Sequence, residues 1–228
     1  MELPRGYISY NQIKLYQQCP RSYYYKYIEG LDASLDDKIY LGIIFHSSVE
    51  SHLKKRIAGR FCSAKDAVDE FSHLFEHQQD FYPVEWKNPK RDVERRGVAM
   101  LKHYLKEMDK DIEPLLVEEE MEETIPEIDI RLRGIVDLIE KDFSISDFKT
   151  ATVRWSNDRA KTSFLQMVIY RYLFERRFGP VTSKLRFRVI YSKSARTVRQ
   201  QVITYPAAEA DFTQMIKVIS AVVEGIRS

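Results

Sequence analysis

Between Leu115 and Lys149 the chain changes its hydropathy period, and that change limits what it can fold into. Upstream, apolar residues recur every three to four positions; here they alternate, in three consecutive runs at Leu115–Ile125, Ile130–Ile139 and Phe143–Lys149. Short turns at Glu127 and Lys141-Asp142 join them, so the runs read as strands of a β-meander. Before them the spacing predicts helices. Ser9-Tyr10-Asn11-Gln12 fits a capping box opening a helix to about Gln17, and Pro20 suits the first turn of a second, which Gly30 ends. Leu41–Ile57 carries Ile44, Phe45, Ser48, Val49 and Leu53 at helical spacing, with His46 and Glu50 one turn apart. Further helices are expected at Ala64–Gln78 and Asp92–Lys110, with Pro83 and Pro89 in the loop between them. After the meander come a helix at Asn157–Phe178 stopped by Gly179-Pro180, strands at Lys184–Tyr191 and Val198–Tyr205, and a last helix at Ala207–Ile226. This order implies an α/β sandwich around one mixed β-sheet flanked by helices. Residues 1–111 form a mainly helical portion and 112–228 the sheet-containing core of one domain.

Composition excludes several classes. At 44% hydrophobic and 31% charged residues the chain is globular rather than disordered. It has no apolar run of the roughly 18 residues that a membrane span needs, and Met1–Tyr10 lacks a secretory pattern, so no membrane partner and a cytoplasmic location are expected. Two cysteines, Cys19 and Cys62, are too few for a disulfide framework or a four-cysteine metal site. The net charge of +2 hides a segregation: Glu107–Asp147 holds 15 acids against 4 bases, and Lys149–Lys193 holds 11 bases against 2 acids. Such a pattern suits a cation-binding centre beside a phosphate-attracting surface, although solvated faces would give it too. The tyrosine-rich stretch Tyr23–Tyr27, flanked by Arg21 and including Tyr24, can stack on bases and meet phosphates; tyrosines at such density also commonly pack with wet hydroxyls.

Chemistry concentrates in the meander. Alternation puts Asp147 and Lys149 on one face of their strand with Phe148 opposite. On the preceding strand Asp137 interrupts the apolar run Ile135–Ile139, and a carboxylate in such company needs a partner. Adjacent strands bring Asp137 and Asp147 together, and a divalent cation relieves the repulsion between them. Oxygen ligands suit Mg²⁺ or Mn²⁺, and the Phe148 backbone carbonyl can add another. Lys149 then lies where it can orient or deprotonate water, or stabilise charge on a phosphate. Taken alone, a D-x-K is an ordinary surface ion pair.

The stretch GIVDLI, eight residues, then DFKT, spanning Gly134–Thr150, resembles the G-x-x-D … D-[FY]-K-T core of RecB-like nucleases of the PD-(D/E)XK superfamily. Gln166 and Tyr170 match the family's Q-x-x-x-Y helix and Gly42–His46 its G-x-x-x-H helix, while Ser9-Tyr10 through Cys19-Pro20-Arg21 resembles its N-terminal signature. The resemblance implies a restriction-endonuclease-like core, metal ligation by His46, Asp137 and Asp147, catalysis by Lys149, and site support with nucleic-acid contact by Gln166 and Tyr170. It also implies a glutamate on the strand before Asp137; Glu118 aligns with it, and Glu120 shares that strand face. Cas4- and AddB-like relatives hold an iron–sulfur cluster through one N-terminal and three C-terminal cysteines. Only Cys19 matches here, so no cluster is expected. The implied activity is Mg²⁺- or Mn²⁺-dependent hydrolysis of DNA, single strands or ends, as an exonuclease beside a helicase or a repair or recombination partner. The alternative is a catalytically silent DNA-binding or scaffold domain. No G-x-x-x-x-G-K-[ST] loop supports helicase activity in the chain itself.

Overall fold

The meander forms the spine of the protein. In a computed structural model, which describes residues 2–179, 184–206, 208 and 211–228, the strands β3 (Pro114–Ile125), β4 (Ile130–Glu140) and β5 (Ile145–Ala151) lie side by side and antiparallel. They continue into β6 (Lys184–Tyr191), parallel to β5, and β7 (Arg199–Pro206), antiparallel to β6. The sheet order is β3-β4-β5-β6-β7, a mixed sheet as the element order implied. Helix α6 (Asn157–Phe178) makes the crossover that the parallel β5/β6 pair requires. Ser156 caps its start, and Gly179 ends it at φ +91°, a conformation that favours glycine.

Helices cover both faces. α6, with α1 (Tyr10–Gln18) and α7 (Phe212–Arg227), packs on one face, where Val136, Leu132 and Met121 meet Ile169, Leu173 and Ile219. On the other, α3 (Asp37–Ile57) crosses β3 and β5, backed by α4 (Ala64–His77) and α5 (Lys90–His103). There Leu138, Val117 and Phe148 join Ile44, Phe71 and Leu101. Val136 and Leu138 are two residues apart, yet they lie in different cores. An unbroken strand would put them on one face. The pleat reverses where Glu118, on the neighbouring strand between the partners of Val136 and Leu138, sits at φ +52°. A second break lies beside it. β4 pairs with β5 only at Leu138–Ser146 and Ile139–Ile145, so the two strands part at Asp137.

Several boundaries differ from the sequence expectation. β5 begins at Ile145, because Phe143 takes a left-handed turn conformation at φ +59°. α3 starts a turn earlier, capped by the Asp36 carboxylate on the Lys38 amide. α5 opens at Lys90, and beyond His103 it widens into a π turn (Tyr104–Met108) and tightens into a 3₁₀ turn (Asp109–Asp111). Around Pro20 the second helix is four residues long (α2, Pro20–Tyr23) and continues as a π turn over Tyr24–Ile28. Only half of the Ser9 capping box forms: Ser9 Oγ accepts from the Gln12 amide, while the Gln12 side chain turns to Ser9 Oγ and the Tyr7 carbonyl. The last helix begins at Phe212; Pro180 and Ala207 lie outside the described residues. A parallel pair, β1 (Leu35–Asp36) with β2 (Val84–Glu85), ties the start of α3 to the α4–α5 connection and has no counterpart in the sequence reading.

Candidate active site

The fork between β4 and β5 is where the chemistry collects. The Phe148 amide, which lacks a ladder partner there, donates to Asp137 Oδ2 at 2.8 Å. The carboxylate thus closes the gap and satisfies a buried N–H. Asp147, fully buried on β5, holds the Lys149 ammonium 2.9 Å from Oδ1 and 2.7 Å from Oδ2. Only Oδ1 is aligned as an acceptor, so Asp147 Oδ2 is enclosed without a hydrogen bond among the described residues. From α3, His46 reaches across with Nδ1 3.4 Å from Asp137 Oδ2. Gly42, one turn earlier, lets the helix come this close: a Cβ there would stand 3.2 Å from Thr150 Oγ1. Glu118 arrives from β3 through its left-handed backbone, and one ligand atom each from His46, Glu118 and Asp137 lie within 4.8 Å of one another. Glu120 turns away to Arg133, at 2.8 Å. On α6 Gln166 donates to the Tyr170 hydroxyl at 2.8 Å, and Gln166 Oε1 is buried without a hydrogen-bond partner among the described residues. All seven of these side chains, His46, Glu118, Asp137, Asp147, Lys149, Gln166 and Tyr170, line one cleft of about 520 Å³.

Burial sets the electrostatics. It pushes Asp137 up to about 6 despite Lys149 and the Phe148 amide, and Asp147 up to about 6 despite Lys149 beside it. Burial and then the Asp137 charge raise Glu118 to about 8. His46 falls to about 4, first through burial and then through Lys149, which leaves a neutral imidazole. At Lys149 burial acts downward, but Asp147 and Asp137 prevail and hold the ammonium above its ordinary value. Three carboxylates and a neutral imidazole therefore crowd a site with one lysine to balance them. The donor set fits a divalent cation, which suits nitrogen and hard oxygen ligands and removes the cost of ionising neighbouring acids.

Arg21 and Tyr24 do not join this cluster. They lie exposed on the N-terminal helices, Arg21 against the Tyr25 ring and hydroxyl and Tyr24 on Glu29. Tyr10 and Asn11, in contrast, lie at the site without having been singled out. Asn11 lines the cleft, and Tyr10 lies close enough to Lys149 and Asp147 to feel both charges. The hints were the place of both at the opening of α1 and, for Tyr10, the resemblance of Ser9-Tyr10 to the family's N-terminal signature.

The sequence profile described as "PD-(D/E)XK nuclease superfamily" matches residues 7–228. The chain belongs to the PD-(D/E)XK nuclease superfamily. Among solved structures, a protein from Eubacterium rectale named "Putative exonuclease" shares its fold at TM-score 0.60 and 12% identity, over 97% of this chain and 83% of that one. SSO0001 aligns over 87% of this chain and 78% of its own at 12% identity, with a TM-score of 0.39. No curated protein matches in sequence. No described helix is long and apolar enough to cross a membrane.

Proposed function

We propose that this member of the superfamily is a RecB-like deoxyribonuclease that hydrolyses DNA with Mg²⁺ or Mn²⁺, acting as an exonuclease on single strands or ends. The observation that carries this reading is the convergence of His46, Glu118, Asp137, Asp147 and Lys149 in one cleft, with the lysine clamped to a buried carboxylate. A purely structural ion pair needs none of the other three. In this reading His46, Glu118, Asp137, Asp147 and the Phe148 carbonyl hold the metal. When bound, the ion supplies an acidified water and neutralises charge growing on the phosphate. Lys149, held protonated by Asp147, orients the attacking water and stabilises a phosphoryl oxygen. Gln166 offers its free Oε1 to the water or the substrate and fixes the Tyr170 hydroxyl at the rim.

The preference for single strands rests on the neighbouring cleft, lined by Tyr7, Tyr10 and Tyr27 with Arg5, where unstacked bases find aromatic faces. Arg21 and Tyr24 lie farther out and serve flanking DNA. Residues 1–228 act as one nuclease domain, with no iron–sulfur cluster, in the cytoplasm beside a helicase or a repair partner. The test is cleavage of end-labelled single- and double-stranded DNA with Mg²⁺, Mn²⁺ or EDTA, comparing wild type with Asp147→Ala and Lys149→Ala. Metal-dependent cutting that both substitutions abolish is expected, and the product ladder gives polarity. Equal cutting by the variants would sink the assignment, and binding without cutting would leave a DNA-binding domain.

A further inference from the structure

A second cleft, of about 370 Å³, adjoins the acidic one and shares with it Ile39, Gly42, His46 and Lys149. Its character is opposite. Lys38, Arg96, Lys149 and Arg159 line it, and no acid does. Arg96, from α5, is only 9% exposed, and its side chain makes no hydrogen bond or ion pair with any described residue. Its nitrogens reach the cleft rather than closing into the protein, so an unpaired guanidinium on a mostly buried side chain is presented to whatever anion enters there. Arg96 also lines a third cleft, together with Asp92 and Arg95 of α5 and with Lys193 and Arg196, which stand exposed in the loop joining β6 and β7. Lys38, Arg159, Lys193 and Arg196 likewise form no ion pair with any described residue. The tyrosine-lined cleft on the other side of the site differs in that its Arg133 is already bound to Glu120; Arg5 there lies over the Tyr27 ring, as Arg159 of the basic cleft lies over Trp155.

We propose that one flank of the DNA strand leaves the acidic centre through the basic cleft, its backbone phosphates passing from Lys149 over Arg96 to Lys193 and Arg196. The inference rests on the nuclease reading and adds to it the path of the strand. The ligand is a run of phosphodiesters, because Arg96 lines two neighbouring clefts, whereas a lone terminal phosphate needs only the first. Lys149 is the point where the path meets the chemistry, since it lines both the acidic and the basic cleft.

The experiment is fluorescence anisotropy of labelled oligothymidylates in EDTA, between 50 and 200 mM salt, with ends carrying either a 5′-hydroxyl or a 5′-phosphate. The proteins are wild type, Arg96→Gln, and the exposed-loop double variant Lys193→Gln/Arg196→Gln. The loop variant touches no core residue, so it keeps the test valid if Arg96→Gln folds poorly. Each lost phosphate contact should weaken binding about fivefold near 0.1 M salt and lower the slope of log K against log salt by about 0.7. The loss should be the same for both kinds of end. An unchanged slope in the loop variant, or losses confined to 5′-phosphorylated DNA, would overturn the path. Metal-dependent cutting by the wild type is scored separately: its absence removes the proposed activity, while the salt slopes still decide whether DNA follows this track.

Discussion

Glu118 holds a backbone conformation that costs a non-glycine residue about 1 kcal/mol or more, and its carboxyl is pushed up to about 8 by burial and by Asp137. Strain and repulsion at one residue mark a site kept for binding rather than for stability. With metal chelated, the folded protein binds the Glu118 proton more tightly than the unfolded chain does. Stability from this group is therefore complete below about 4.5 and lost as pH rises toward 8; for Asp137 the window runs from 3.8 to about 6. Glu118→Gln and Asp137→Asn should each leave the EDTA-treated protein more stable than wild type at pH 8, by on the order of 2 kcal/mol, and nearly equal to it at pH 4. Urea unfolding at the two pH values measures this. A variant less stable than wild type at pH 8 would show that the charged forms are not the costly ones. Gly134 carries a different constraint. A Cβ there would stand 2.9 Å from Leu173 Cδ1 and 3.3 Å from Tyr170 Cε1. Gly134→Ala should therefore push α6 off β4, at a cost of about 1–3 kcal/mol, and displace Tyr170 from the cleft. Thermal unfolding together with a lowered kcat would register both effects; a fully active, fully stable variant would mean that α6 yields freely.

Among the elements, β4 carries two charged clusters with different purposes. Three residues beyond Asp137, Glu140 accepts from Arg188 at 2.8 and 3.0 Å, from Arg186 at 2.7 Å and from Ser146 at 2.8 Å, all deep in the sheet. Every partner there is satisfied, and its cleft shares no residue with the acidic one at the β4–β5 fork. Glu140→Ala should leave Arg188 buried without its counter-ion and cost about 3 kcal/mol, equally in EDTA and in Mg²⁺. A loss that appears only with metal would tie the network to the site instead. In the sequence Asp137 stands out because it interrupts the apolar run Ile135–Ile139 and matches a family motif, whereas Glu140, just past the end of that run, carries neither signal. The elements themselves were more legible. α6 and β6 fall where period and stop signals put them, because Ser156, Gly179 and a long apolar stripe all agree. β1 and β2, two residues each, are too short to show any alternation. The reversed pleat at Glu118 has no local signal either, since nothing in Val117-Glu118-Glu119 announces a left-handed residue. Alignment picked Glu118, but its face was decided by three strands together. Arg96 is the extreme case: one arginine in a charged helix becomes special only when α5 folds against α3 and leaves it lining two clefts without a partner among the described residues.

For the whole molecule, these local costs combine into a dependence on metal. A fold that gathers three raised carboxyls in one cleft is weakened by them when empty and strengthened by any cation that binds the native state alone. At an ion concentration a hundred times its Kd the gain is about 2.7 kcal/mol, and for a chain of this length each kcal/mol moves Tm by about 2–4 °C. Saturating Mg²⁺ or Mn²⁺ should therefore raise the wild-type Tm by about 5–10 °C over EDTA at pH 8. The Glu118→Gln/Asp137→Asn double variant should respond little to either ion. The two proteins should also exchange rank, the variant melting higher in EDTA and the wild type higher with metal, because the same carboxylates that oppose folding alone are the ligands that reward it with the ion. Differential scanning calorimetry in both buffers tests the exchange. A parallel rise in both proteins would mean that the ions act elsewhere on the surface, and no rise in either would leave His46, Glu118 and Asp137 without the role that their crowding demands.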